Sequence, residues 1–552
     1  MYSHAMRASS VLLLFAAPLA AQQATLPELV RNASNAIQQG QLKRDADYLA
    51  SDALRGRKSP SPGLDSAAAY VVKRLEALKL VPAGDAGTYR QHYNVRTIAL
   101  DTTTTYLEVG GRRLAFGNDL LAQIFADSVR RSAPMVYVGH GILAPKKGID
   151  PWANVDVHGK IVIAHGPGVF PAGESFATLG AVGNDWFIPW MTAAKRGAVG
   201  IILIPGANML RRWNSMRGSD FLLQRTELNP PVPSAYQLPA FPSVMVKPEH
   251  LQHLLAGSNV NVDSLLASAA RGVYHASFAL DSTKPATLNI ALASTSTTRL
   301  HNVVARIDGS DPRLRREAVV LMAHLDGAVE PGAEAAGDSI FNAADDNASG
   351  SAGLLAIAEA MMRAPRPKRS VIFLWDTGEE VGLWGSRYYA ANPVVPLSDV
   401  VAHYNVDMIG RSKAPGTNAA EDEELSGPNE IHVVGPRVMS TELDSLIHRT
   451  NRSLHDLKLS HRFDLPTHEF FYPRTDGGPL LERGVATINF QDGTHVDYHG
   501  PGDEPHKLDL DKMLKVSRLV FATAWLLADS PTRPRLDKGI PLSVPRYQPG
   551  QP

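Results

Sequence analysis

The chain has 552 residues, 44% of them hydrophobic and 20% charged, and its 55 Lys plus Arg balance 55 Asp plus Glu to a net charge of zero. That length exceeds what one hydrophobic core organises, so two or more domains are expected, and the balanced charge provides neither a basic surface for nucleic acid nor an acidic tail. With no cysteine in the sequence, disulfides and thiolate ligands are excluded, which leaves imidazole and carboxylate as the strong ligands for a metal such as zinc.

At the N-terminus, Arg7 precedes the apolar run Val11–Ala17, and the small residues Ala20–Ala21 lead into Gln22–Gln23. This is the layout of an export signal over residues 1–21, cleaved near Ala21, with Met6 as an alternative start; the apolar run is too short to span a bilayer. A soluble mature protein outside the cytoplasm, periplasmic or secreted, is expected, with no stable membrane insertion. Residues 26–128 begin with helical periodicity: Leu42, Asp45, Tyr48 and Leu49 sit near the 3.6 period, and Ala67–Leu80 repeats it more strongly. The SPSPG run at Ser59–Gly63 marks a loop between them.

The texture changes over residues 129–284. APMVYVGHGI, GKIVIAHGP and AVGIILIPG read as short buried strands bounded by glycine, and Phe241–Ala256 adds a strand and a helix. A separate, small, β-rich inserted domain is expected, with the Pro-rich stretch Asn229–Pro242 as an exposed loop. Over residues 285–529 the pattern becomes α/β: strands at Ala318–Ala323, Ser370–Trp375, Val400–Val406 and Ala486–Phe490, with a helix at Gly350–Arg363. Short apolar strands alternating with helices predict a mostly parallel, doubly wound sheet with helices on both faces. Residues 530–552, with six prolines, read as a loose tail.

Five metal-ligand candidates occur in the catalytic part: His324 in AHLDG, Asp346 in AADDNASG, Glu380 in DTGEEVGLWGS, Asp407 in NVDMIG and His499 in DYHGPGD. Four follow the C-terminal end of an expected strand and the fifth precedes a helix, so all fall on the side of an open α/β sheet where ligands bind. Two imidazoles and three carboxylates suit two zinc ions bridged by one carboxylate, for which Asp346 is placed. Asp326, two positions from His324, is suited to accept a hydrogen bond from its second ring nitrogen. Ser349 is the expected N-cap of the following helix. Glu379, beside Glu380, is placed to take a proton from a metal-held water and pass it to a leaving amine. Taken singly, each of these motifs is more often a structural hydrogen bond, a cap or a solvated surface. Spacing does not choose among His495, His499 and His506 as the last ligand, and His301 and His403 read as structural. Met408 and Phe470–Tyr472 are candidates for an apolar substrate pocket or for plain core.

At these residues the chain resembles the zinc aminopeptidase branch of the M28 metallopeptidases, through DDNASG, TGEEVGLWGS and DYH-P, over about Leu26 to Leu527. The resemblance implies a zinc-peptidase type of sheet, peptide substrates and two Zn2+ ions per chain. His324, Asp346 and Asp407 would hold one ion and Asp346, Glu380 and His499 the other, with Glu379 as general base and Asp326 as partner of His324. It also implies a cis peptide between Asp346 and Asn347. GKIVIAHGP and KRGAVGIILI resemble the protease-associated (PA) domain that many of these enzymes carry as an insertion. Two departures stand out: Ala343–Ala344 where the family often has glycine, and Thr475-Asp476-Gly477-Gly478 where it often has Asp-His. An exported aminopeptidase is therefore expected. Carboxypeptidase or dipeptidase action, a glutaminyl-cyclase-like transferase and a receptor-like protein without catalysis are the alternatives, and the sequence leaves the oligomeric state open.

Overall fold

The computed structural model describes residues 26–123, 128–166, 168–180, 185–234, 241–328, 339–417, 419–465, 468, 470–471, 474–542 and 544–547. The expected export signal at 1–21 lies outside the described residues. Eight strands build most of the main sheet: β1 (Arg90–Leu100), β2 (Leu292–Ile307), β3 (Ala318–His324), β4 (Ser370–Asp376), β5 (Val400–Val406), β6 (Glu430–Val434), β7 (Lys458–Ser460) and β8 (Thr487–Gln491). Their order across the sheet is β1-β2-β4-β3-β5-β8-β6-β7. The four central strands β4, β3, β5 and β8 run parallel. β2 pairs antiparallel to β4 and to β1, and β6 antiparallel to β8. The sheet is thus mixed, not mostly parallel: the long β2–β1 pairing on one flank and β6 on the other reverse the direction of its centre.

Alternate residues of the central strands enter different cores, the period-2 consequence of a strand buried on both faces. Val319, Leu321 and Ala323 of β3, with Val371, Phe373 and Trp375 of β4, face the large core. Helices α1 (Gln39–Leu49), α2 (Pro62–Leu78), α3 (Gly350–Arg363), α5 (Thr441–Leu454) and α6 (Leu510–Asp529) contribute to that core. Val320, Met322, Ile372 and Leu374 face a second core with Tyr389 and Ala390 of α4 (Trp384–Ala391). In register, His324 lies opposite Asp376, and Asn405 opposite Asn489, so the C-terminal ends of the four parallel strands finish side by side. That alignment is what brings residues distant in sequence to one place.

Residues 106–290 hold two smaller sheets. One is six-stranded, with Met135–Tyr137, Ile161–His165, Gly200–Ile204 and Ser243–Val246 parallel at its centre. The other is four-stranded, built from Tyr106–Val109, Arg112–Ala115, Val129–Ala133 and Ala286–Ile290. These sheets draw strands from both sides of the 129–284 segment. In the other direction, Gln224–Leu228 leaves that segment and pairs with β1 at the edge of the main sheet. Of the Pro-rich stretch 229–242, residues 235–240 lie outside the described residues, as do the last five of the chain.

The tail from Ser530 is not loose where it is described. Val544 is buried in the large core, and the amides of Lys538 and Tyr547 donate to Met439 O and Glu482 O. Proline fixes an extended chain but leaves the intervening residues free to pack and to donate hydrogen bonds.

Candidate metal centre

His324 is the last residue of β3 and is fully buried. Its Nε2 lies 3.1 Å from Asp346 Oδ1 and 3.3 Å from Asp407 Oδ1. On the other side of Asp346, His499 Nε2 is 3.2 Å from Asp346 Oδ2 and 3.0 Å from Glu380 Oε2. Two groups of three ligand atoms therefore form, His324–Asp346–Asp407 and Asp346–Glu380–His499, with Asp346 common to both. Ligands ~2.0–2.1 Å from a tetrahedral zinc stand about 3.3 Å from one another, so the observed separations fit such an ion. The buried Glu380 Oε1 makes no hydrogen bond among the described residues. The five candidates from the sequence meet at one place, and of the three clustered histidines it is His499 that faces Asp346. His495 faces Asp345 at 3.4 Å instead, and His506 is exposed. His403 is buried in β5, and His301 lies in β2.

The turn that carries Asp346 is held by a network. The Asp346–Asn347 peptide is cis. Asn347 Oδ1 accepts from the amides of Gly350, at 2.9 Å, and Met408, at 3.2 Å, while its Nδ2 donates to Val406 O. Asn347, not Ser349, therefore caps α3; the Ser349 hydroxyl instead donates to Asp345 O and accepts from Ile409 N–H. Ser349 has helical backbone angles, which turn its side chain away from the free amides of the first turn. Gly350 is required by close approach, because a Cβ there would stand 2.2 Å from both Asn347 Oδ1 and Val406 O. Met408 and His499 both have positive φ, 54° each, an uncommon conformation for residues with side chains and one that clusters at functional sites.

Asp326 takes a different position from the one its spacing suggests. Its carboxylate Oδ1 accepts the Glu379 amide at 3.2 Å and lies 3.8 Å from His324 Nδ1, whose nearer neighbour is the Asp326 main-chain oxygen at 3.2 Å. The side chain thus anchors the Glu379–Glu380 loop, and the backbone two residues on orients the imidazole. The bend is tight enough that the carbonyl of residue 326 reaches the ring before the carboxylate does.

Several residues that sequence spacing did not mark support this centre. Arg57 is buried with its guanidinium directed at main-chain oxygens only: Leu325 at 2.9 Å, Asn342 at 2.9 Å, Ala343 at 2.8 Å, and Leu49. Burial lowers its pKa to about 10, while Asp326, Asp503, Asp346 and Glu380 hold it up, so it stays a cation beneath a cluster of carboxylates. Asp503 accepts the amides of Asp345 and Asp346 at 3.0–3.1 Å. Tyr93 Oη donates to Thr377 O at 2.7 Å and steadies the loop after β4. Asp376 and Asp476 are both buried; burial and then their mutual charge push Asp376 far up, and burial raises Asp476 to about 6. Burial and the neighbouring charge thus favour the protonated form of Asp376.

Without metal, protons are favoured on every ligand except Asp346. Burial alone would depress His499, but hydrogen bonds with Asp346 and Glu380 lift it to about 10. His324 is likewise raised, its burial outweighed by Asp407 and Asp346. Burial, then the Asp346 charge, raises Glu380 to about 7, and Glu379 goes well above the ordinary range, chiefly by burial. A hollow of about 10 Å³ beside Asp346 and His499, lined also by Phe341 and Asp503, has room for a water-sized species. Of the residues considered for an apolar pocket, Phe470 and Phe471 belong to the large core and Met408 is buried; Tyr472 lies outside the described residues.

Residues 302–524 match the model of peptidase family M28. Among curated relatives, leupeptin-inactivating enzyme 1 of Streptomyces exfoliatus is 38% identical over 127 residues, 22% of this chain and 25% of that protein. Leucine aminopeptidase 2 of Trichophyton equinum is 28% identical over 262 residues, 43% of this chain and 47% of its own. The chain thus spans half or less of the length of these two relatives. Among solved structures, an aminopeptidase from Aneurinibacillus sp. strain AM-1 shares the fold, with a TM-score of 0.50 and 17% identity, covering 94% of this chain and 100% of that one.

Proposed function

We propose that this chain, whose residues 302–524 match the model of peptidase family M28, is a co-catalytic di-zinc exopeptidase, an aminopeptidase that removes N-terminal residues from peptides. The observation that carries this reading is the position of Asp346, whose two oxygens face different imidazoles at 3.1 and 3.2 Å. A carboxylate common to two ligand groups would let one side chain serve two ions. His324 and Asp407 complete one group, Glu380 and His499 the other. The bound pair supplies Lewis acidity toward the scissile carbonyl and an acidified water.

The protein side chains do the rest. Glu379 lies outside both Asp346-centred groups, though within ligand range of His324 and Glu380, and a carboxylate there would take a proton and return it to the leaving amine. Asp326 holds the Glu379 amide, and Arg57 offsets the carboxylates from below. We also read residues 129–284, with the flanking strands that complete its sheets, as a PA-type insertion into a doubly wound peptidase body, and residues 1–21 as the signal that exports the chain.

Mass spectrometry of an unblocked hexapeptide incubated with the zinc-loaded protein tests this. Stepwise loss from the N-terminus, abolished by N-acetylation, is expected; an untouched N-terminus overturns it. One observation favours a second reading. Arg474 donates to the Tyr498 hydroxyl, and the Tyr498 ring stacks on His499 with centroids 3.8 Å apart, so a cation stands near the centre. If Arg474 engages a substrate carboxylate, the same hexapeptide shortens from its C-terminus instead.

A further inference from the structure

A second group of metal-ligand side chains lies at the β7 edge of the main sheet, separated by β6 and β8 from the strand ends that carry His324 and Asp407. Asp444 and His448 stand four residues apart on α5, hence on one face of the helix. His461 comes from the residue immediately after β7. Its Nε2 is 3.1 Å from His448 Nε2, and Asp444 Oδ1 lies 3.6 Å from the first imidazole of α5 and 3.7 Å from that of His461. These separations bracket the about 3.3 Å expected between ligands of a tetrahedral zinc, while those of the main centre lie at or just below it.

The site is also built from behind. His461 Nδ1 lies 3.3 Å from Asp464 Oδ2, and Asp464 is itself buried and fixed by the Gly435 amide on its Oδ1 at 2.7 Å. A carboxylate on the far nitrogen sets the tautomer in which Nε2 presents its lone pair forward, the arrangement found behind metal-binding histidines. A hydrogen bond between the two imidazoles alone leaves Asp444 Oδ1, a buried atom, without a hydrogen-bonding partner among the described residues. A cation at the centre of the three atoms satisfies all of them together.

We propose that Asp444, His448 and His461 bind one zinc-type transition-metal ion, distinct from the Asp346 centre, that fastens α5 to the segment after β7. Imidazole with carboxylate favours zinc, cobalt, nickel or copper over calcium or magnesium. The side chain of His448 is 37% exposed, so the ion keeps an open position toward solvent and exchanges more readily than one in a closed four-ligand site. Its role is structural: α5 packs into the large core through Leu443 and Ile447, and the segment after β7 through Phe463, so the ion joins two elements already anchored from within.

Zinc analysis after demetallation, reloading and gel filtration tests the proposal. The His448→Gln and His461→Gln variants are expected to carry one zinc per chain fewer than the unsubstituted protein, and equal content in all three overturns it. A measurement on the unsubstituted chain stands even if a variant misfolds. Zinc is expected to protect His448 from diethyl pyrocarbonate, read by peptide mass mapping, and equal modification with and without zinc overturns the proposal. Both readouts are independent of peptidase activity, so they fail or succeed separately from the reading of the Asp346 centre.

Discussion

Glu379 and Glu380 are adjacent in sequence yet serve different purposes, because the loop after β4 bends between them. Glu380 Oε2 points at His499, while the Glu379 amide is fixed by Asp326. Removing the charge of Glu379 therefore tests proton transfer without dismantling the ligand groups around Asp346. Glu379→Gln is expected to lower kcat by ~10²–10⁴-fold, the usual contribution of a general base, with zinc content unchanged by elemental analysis. Loss of zinc in that variant would instead make Glu379 a ligand. Arg57 belongs to the same scale but outside the matched segment 302–524. Its planar fork reaches carbonyls at residues 49, 325, 342 and 343, a geometry that the single ammonium of a lysine does not reproduce. Arg57→Lys is expected to lower the melting temperature and weaken zinc retention; unchanged values in both measurements would remove Arg57 from the support of the centre.

The elements that carry the ligands were the most legible part of the sequence. Val400–Val406 and Gly350–Arg363 have the bounds that their patterns suggest, and β3 and β4 extend one residue beyond theirs. Continuous apolar runs mark buried parallel strands, and strand ends mark where polar residues gather. The flanking antiparallel strands were not legible. β2 is all serine and threonine over Ser294–Thr298, where it is largely exposed, so no apolar run announces it. Asp503 was invisible for another reason: it meets the Asp346 turn across more than 150 residues, and no local pattern records that contact. Its two oxygens nevertheless satisfy the amides of Asp345 and Asp346, which no helix turn pairs. Asp503→Ala leaves those buried donors orphaned, each costing about 1–3 kcal/mol. The variant is expected to melt several degrees lower and to lose zinc to a chelator faster than the unsubstituted chain; a melt and chelation rate matching the original would mean that water replaces the carboxylate without penalty.

Across the whole molecule, metal and protons compete for the same atoms, so stability depends on pH in opposite senses with and without zinc. In the metal-free protein His499 is raised from 6.5 to about 10. Its protonated form contributes stability that is fully present below the unfolded value of 6.5 and is lost as pH rises through about 10. Glu380, raised from 4.5 to about 7, acts in the same direction: its protonated form is favoured in the fold, and that advantage disappears between those values. Asp346 alone among the ligands is lowered, through hydrogen bonds from the two histidines that outweigh its burial, and its contribution is lost only in acid. The metal-free fold is therefore expected to weaken as pH rises across neutrality. Zinc requires the imidazoles neutral and the carboxylates ionised, so its affinity rises over the same interval. At a thousandfold excess over its dissociation constant, zinc stabilises the folded state by about 4 kcal/mol. The difference in melting temperature between zinc-loaded and metal-free protein is thus expected to widen steadily from about pH 6 to about pH 9. Titration calorimetry in buffers of different ionisation enthalpy should show proton release on zinc binding at neutral pH. A gap that stays constant or narrows, together with binding that releases no protons, would mean that zinc does not enter through His324 and His499, and the ligand assignment would fall with it.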